Sequence, residues 1–73
     1  MAEDQAISAA VKEGLSADPV TTGSEIHIET TDAIVVLKGD VASVRISRRA
    51  AEIAGQVERV RTVRNYLWVR SGG

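Results

Sequence analysis

The sequence predicts an α+β fold of order α-β-β-α-β, with two helices packed on one face of a three-stranded mixed sheet. Three stretches carry this reading. Val35-x-Leu37-x-Gly39-x-Val41 places an apolar residue or glycine at every second position, the period of a strand. Ala51, Ile53, Ala54, Val57 and Val60 follow a spacing near that of an amphipathic helix. The period of two then returns in Val63-x-Asn65-x-Leu67-x-Val69. Strand, glycine, helix and strand in this order make one β-α-β unit, whose crossover runs right-handed and returns its second strand parallel to the first.

Each element has a local cause. Ile7, Ala10, Val11, Gly14 and Leu15 fall at i, i+3, i+4, i+7 and i+8, one face of a first helix. Glu3 and Asp4 lie in its first turn, where the helix dipole favours carboxylates. The helix should stop near Ala17, because Asp18 precedes Pro19 and a residue before proline is pushed out of the α region. Residues 21–24 read as loop. Residues 24–30 alternate, with Ile26 and Ile28 on one side and Glu25, His27 and Glu29 on the other, as in a half-buried strand. Thr31 and Asp32 read as a tight turn.

Residues 33–38 are apolar on both parities, with Val35 and Leu37 on one face and Ile34 and Val36 on the other. A strand apolar on both faces belongs at the centre of a sheet. Gly39 is expected to let the chain leave the sheet, through a conformation costly for other residues or a close backbone approach. Ser43 is placed to cap the second helix. That helix sets Ile46, Ala50, Ile53, Ala54 and Val57 on one face and Arg45, Arg49, Glu52, Gln56 and Arg59 along the other. Arg48 and Glu52 stand at i, i+4, the spacing of a surface ion pair. In the last strand, residues 62–70, Val63, Asn65, Leu67 and Val69 turn one way. Arg64, Tyr66, Trp68 and Arg70 turn the other. Ser71, Gly72 and Gly73 read as a frayed tail. The helices then cover the face carrying Ile26, Ile28, Val35, Leu37, Val63, Leu67 and Val69, with the second strand central.

A chain of 73 residues is one domain, 1–73, with an ordered core of about 3–70. A domain this small buries only about 60% of its unfolded surface. Its apolar set is Val, Ile, Leu and Ala, with no Phe, and the absence of Cys excludes a disulfide framework or thiolate site. The longest unbroken apolar run, residues 33–37, is far too short to span a membrane. The start, Met1-Ala2-Glu3-Asp4, is acidic and leads into no apolar h-region, so no signal peptide is expected within this chain. The compartment stays open, since an export signal can be removed.

Charge is divided along the chain. Residues 1–37 hold seven carboxylates and one lysine, a formal −6; residues 38–73 hold eight basic side chains and three carboxylates, a formal +5. Such asymmetry points either to an anionic partner or to two halves that lie together and neutralise one another.

The ordered set of motifs resembles the BON domain, a bacterial module named for osmotically induced periplasmic and nodulation proteins. Asp4, Ile7, Val11 and Leu15 match its first helix. Val35-x-Leu37-x-Gly39-x-Val41 matches its strand-glycine segment. Ile53-Ala54, Val57, Val60, Val63 and Asn65-x-Leu67-x-Val69 match its end. The likeness covers nearly the whole chain. Two positions depart from the pattern. The usual Asp/Asn-Gly hairpin turn is Asp32-Ala33, which disfavours a type I′ turn because Ala tolerates positive φ poorly. The usual Gly before the last strand is Arg59, so the helix exit is expected to differ. The resemblance implies the same α-β-β-α-β fold and a non-enzymatic binding role in envelope or stress proteins, with attachment to phospholipid surfaces or to partner domains. It carries no catalytic residues, and it implies structural roles for Gly39 and Asn65.

The residues agree with a binding module. No Gly-x-Ser-x-Gly, P-loop or Gly-x-Gly-x-x-Gly occurs, and no serine stands in a recognisable arrangement with an activating histidine. Neither a cofactor nor a catalytic group is expected. Glu25, His27 and Glu29 form a row that invites a metal reading, but a closed site needs further ligands, and the polar outer face of an edge strand accounts for it. No nucleic-acid motif occurs in this mildly acidic chain.

One surface stands out. Tyr66 and Trp68, the chain's only aromatics, share the outer parity of the last strand. Ile34 and Val36 share that parity on the neighbouring strand, and Lys38, Arg64 and Arg70 flank them. These seven residues are the expected interaction surface, with Ile34, Val36, Tyr66 and Trp68 as one contiguous patch, since exposed patches of this kind mark interfaces. The expected partners are a protein, including a second copy of the chain, or an anionic membrane surface. The alternative is a small-ligand or ion-binding regulatory domain, which requires a concave site.

Overall fold

The computed structural model describes residues 2–70, and the tail expected at Ser71, Gly72 and Gly73 lies outside them. The elements are α1 (Ala2–Ala17), β1 (His27–Thr31), β2 (Ile34–Val41), α2 (Val44–Gln56) and β3 (Thr62–Val69). They form an α+β fold with the strand order β1-β2-β3. β1 runs antiparallel to β2, and β3 runs parallel to it. The central strand and the mixed sheet are those that the hydrophobic periods predict. Among the described residues no helix is long and apolar enough to cross a membrane.

Packing follows from β2. Its inner row, Val35, Leu37 and Val41, is completely buried. Ile7, Val11 and Leu15 of α1 and Ala50, Ile53 and Ala54 of α2 close over the first two of these. Ile26, Ile28, Val63 and Leu67 pack against the cluster but stay partly exposed. α1 lies over β1, and α2 lies over β2 and β3. The helices also touch each other, and Gly14 lies against α2, where a Cβ would come 2.8 Å from Ile53 Cγ2. Ser43 caps α2 as expected, its Oγ accepting from the Ile46 N–H at 3.3 Å.

Gly39 departs from expectation in one respect. β2 does not end there but runs on to Val41, pairing Gly39 with Leu67 and Val41 with Val69. The glycine is needed because the chain entering β1 passes directly over it. A Cβ at Gly39 would lie 2.6 Å from the Glu25 carbonyl oxygen, and its φ is +131°. The same crossing explains why β1 begins at His27, two residues beyond Glu25, and not at Ser24.

The hairpin turn also differs from expectation. Thr31 pairs with Ile34, so the two-residue loop is Asp32-Ala33. Both loop residues have positive φ, 52° and 64°, the pattern of a type I′ turn. What makes this tolerable for Ala33 comes from α1. The Asp4 carboxylate accepts from the Asp32 N–H at 3.1 Å and the Ala33 N–H at 3.0 Å. Arg59, at the position where the resemblance expects glycine, likewise has a positive φ, 75°. The helix exit therefore keeps a glycine-like conformation, and the Arg59 side chain pairs with Glu3 at 2.8 Å.

Two predictions follow from this packing. Leu37→Ala should cost about 2–5 kcal/mol, a large part of the stability of a small domain, read as a lowered urea midpoint. Gly39→Ala should destabilise by about 1–3 kcal/mol, because the backbone of Glu25 cannot yield as a flexible side chain would. An unchanged midpoint in either variant would refute the corresponding account.

Candidate functional site

The outer face of the sheet is built by alternation. With the inner parity of all three strands turned to the helices, Ile34, Val36 and Lys38 of β2 and Arg64, Tyr66 and Trp68 of β3 turn away from them. The two aromatics are well exposed, Tyr66 at 58% and Trp68 at 71%. Lys38, Arg64 and Arg70 are exposed as well, while Ile34 and Val36 are half-buried.

The register decides how these side chains are arranged. Val36 lies opposite Arg64, Lys38 opposite Tyr66 and Asp40 opposite Trp68, while Ile34 lies opposite Thr62. The four apolar residues therefore do not meet side by side across the strands. The face has an aliphatic end at Ile34 and Val36 and an aromatic end at Tyr66 and Trp68, which meet only on the diagonal from Val36 to Tyr66, with Lys38 and Arg64 on the other diagonal. Hydrophobic parity assigns residues to a face, but only the pairing register sets their neighbours along it.

Charges on this face are partly satisfied. Lys38 Nζ reaches Glu29 Oε2 at 2.8 Å. That hydrogen bond holds the Glu29 carboxyl below its ordinary pKa and raises that of Lys38. Among the described residues Arg64 and Arg70 take part in no ion pair. Glu25, His27 and Glu29 do not gather into a metal site: Glu29 is bonded to Lys38, and Glu25 lies before β1. No cluster of three or more His, Cys, Asp or Glu among the described residues is placed to hold a metal.

The divided charge of the chain is spent internally in part. Lys38–Glu29, Arg49–Asp18 and Arg59–Glu3 each join the basic half to the acidic half. The expected Arg48–Glu52 pair is replaced by Arg49–Glu52, at 3.0 Å and i, i+3, because Arg49 points toward the end of α1. There its Nε and Nη2 both donate to Asp18 Oδ1, at 3.1 and 3.0 Å. Asp18 Oδ2 accepts from the Val20 and Thr21 N–H groups at 3.0 and 3.3 Å, and the buried Thr21 hydroxyl donates to the Leu15 carbonyl at 2.6 Å. These polar ties were not legible in the sequence, where Asp18 reads only as a pre-proline residue and Thr21 as loop.

A surface cleft of about 430 Å³ runs between the end of α1 and the start of β1. Leu15, Ile26 and Ile28 contribute its apolar lining, and Lys12, Ser24 and His27 are among its polar groups. It opens to solvent beside an edge strand and lies away from the aromatic face.

This is the architecture of a small α+β module with one helix-covered face and one open, aromatic-bearing face. The match to the family model of the BON domain covers residues 3–71, and the chain belongs to that family. It is also similar to osmotically-inducible protein Y of Escherichia coli (strain K12), 39% identical over 66 residues. That alignment covers 90% of this chain and 33% of the relative, so the chain spans about a third of that protein's length.

The Asp18–Arg49 contact yields a prediction. The Arg49 hydrogen bond, opposed by desolvation and aided by the Val20 and Thr21 N–H groups, holds the Asp18 carboxyl below its ordinary value. Its stabilisation is therefore present above the unfolded pKa of about 3.9 and is lost as pH falls through the lower folded value. Asp18→Asn should be less stable than wild type near neutrality, and the gap should close as pH falls below about 4. Chemical unfolding across that pH range measures it, and a gap that stays constant with pH would refute the coupling.

Proposed function

We propose that this chain is a non-catalytic binding module that attaches to a partner protein through the outer face of its sheet. The observation that carries this reading is the exposure of its only two aromatics, Tyr66 at 58% and Trp68 at 71%, on a face that neither helix covers. Exposing both large aromatics costs a small domain core material that it has little of. Trp, Tyr and Arg are also the residues that dominate binding energy at protein interfaces. The name of the relative, an osmotically inducible protein, supports osmotic stress as the setting.

A second reading is attachment to an anionic phospholipid surface of the cell envelope. It is favoured by Arg64 and Arg70, which flank the aromatics without an ion pair among the described residues. Basic groups beside amphipathic rings suit a headgroup boundary. A small-ligand or ion-binding regulator is less favoured, because the cleft beside β1 is open to solvent.

Trp68 is the only tryptophan, so its fluorescence reports on this face. A blue shift on concentrating the protein, abolished by Tyr66→Ala with the fold intact, supports contact between copies. A blue shift only on adding phosphatidylglycerol vesicles supports the membrane reading. In that case Arg64→Ala with Arg70→Ala should weaken co-sedimentation as added salt does, by about 1 kcal/mol per basic residue. Emission already blue-shifted in dilute protein would mean that the ring is covered within the domain, and both readings would fail.

A further inference from the structure

The free edge of β3 has a feature that the sheet-face reading does not use. The Arg70 N–H donates to the Val41 carbonyl at 2.9 Å. By strand alternation, Thr62, Arg64, Tyr66 and Trp68 also turn their backbone groups toward β2. Val63, Asn65, Leu67 and Val69 therefore turn theirs outward, along an edge of eight residues. Such an edge is a template for pairing with another strand. The opposite edge is less of a hazard. β1 has only five residues, and Thr30 is tied to α1 through Ser8, Oγ to Oγ1, at 2.6 Å.

One outward donor on β3 is already taken. Asn65 Oδ1 accepts from the Leu67 N–H at 3.0 Å. The same side chain is anchored from behind, its Nδ2 donating to Ser47 Oγ at 3.0 Å and to the Ser47 carbonyl at 3.3 Å. Ser47 belongs to α2 and is buried. Asn65 thus holds its oxygen across the edge, on a donor that an incoming strand would need.

We propose that Asn65 is an edge guard: by occupying the Leu67 N–H it keeps β3 from pairing with the β3 edge of a second copy of this chain. An asparagine does both halves of this task, since it needs an acceptor for Leu67 and a donor for Ser47. A β-branched residue at position 65 would free the Leu67 donor and favour an extended strand. The incoming edge is chosen as β3 itself because it is the longer of the two, and an isologous pair satisfies both copies at once.

The test uses the full chain in a Trp68→Ala background, so that contact through the outer face does not contribute and failure of that reading leaves this one intact. Asn65→Val should sediment with an average mass that rises with concentration toward a dimer, with Asn65→Ala as the second variant should the valine form not fold. Two controls separate guarding from stability. Ser47→Ala removes the hydroxyl anchor but leaves Oδ1 on Leu67, and Asn65→Asp keeps an acceptor while losing the donor to Ser47. Both should lose stability yet stay at the parent's mass. Amide exchange at Leu67 should slow on association of Asn65→Val. The proposal is overturned if neither Asn65→Val nor Asn65→Ala associates, if the two controls associate to the same extent, or if association leaves Leu67 exchange unchanged.

Discussion

Burial of the inner row of β2 is the constraint on which the rest of this domain depends. Val35, Leu37 and Val41 are fully removed from water, and the strand that carries them has a partner on both sides. With so few residues, no second core is available to hold an element in place. α1 must lie over β1 and α2 over β3 so that both reach the same row. The helices can meet there because position 14 carries no side chain where α1 approaches Ile53. At position 39 the row is interrupted by a glycine, and the backbone of Glu25 occupies the space that a side chain would have filled. The entry to β1, the length of β2 and the placing of both helices thus answer to one line of residues.

Polar contacts then tie the elements at their ends. Asp4 holds the hairpin turn from the start of α1, and Asp18 holds Arg49 of α2 from its end. Asn65 joins β3 to α2 at the far edge of the sheet. Three ion pairs join the acidic first half to the basic second half. The charge asymmetry of the sequence is thus in part an internal complementarity. Exposed pairs of this kind contribute little stability, and Arg64 and Arg70 on the aromatic face, like Arg45, Arg48 and Arg61 elsewhere, take part in none of them among the described residues. The exposed aromatics, and not the charge, make the outer face the place to look for a partner.

Two backbone positions show why local rules misread this chain. Ala33 and Arg59 both adopt positive φ, although neither is a residue that favours it. At Ala33 the reason lies twenty-nine positions away, in the carboxylate of Asp4. In the sequence Asp4 reads as a helix-dipole residue, and nothing in its neighbourhood indicates a second role. At Arg59 the side chain reaches Glu3, also distant in sequence. Strain at a single residue is set by what surrounding structure demands, and those demands are not local.

The sequence by itself determined the element order, the mixed sheet with β2 at its centre, the buried parity of each strand and the aromatic parity of β3. These follow from periods of two and 3.6, which each segment carries independently of its neighbours. Only the tertiary structure decided the register that places Arg64 opposite Val36 and Lys38 opposite Tyr66. It also decided that β2 continues past Gly39, that Asp4 and Asp18 bind distant backbone and side-chain groups, and that Asn65 faces an open edge. Register and long-range hydrogen bonds depend on how two segments meet in space, and a period along one segment holds no record of that meeting.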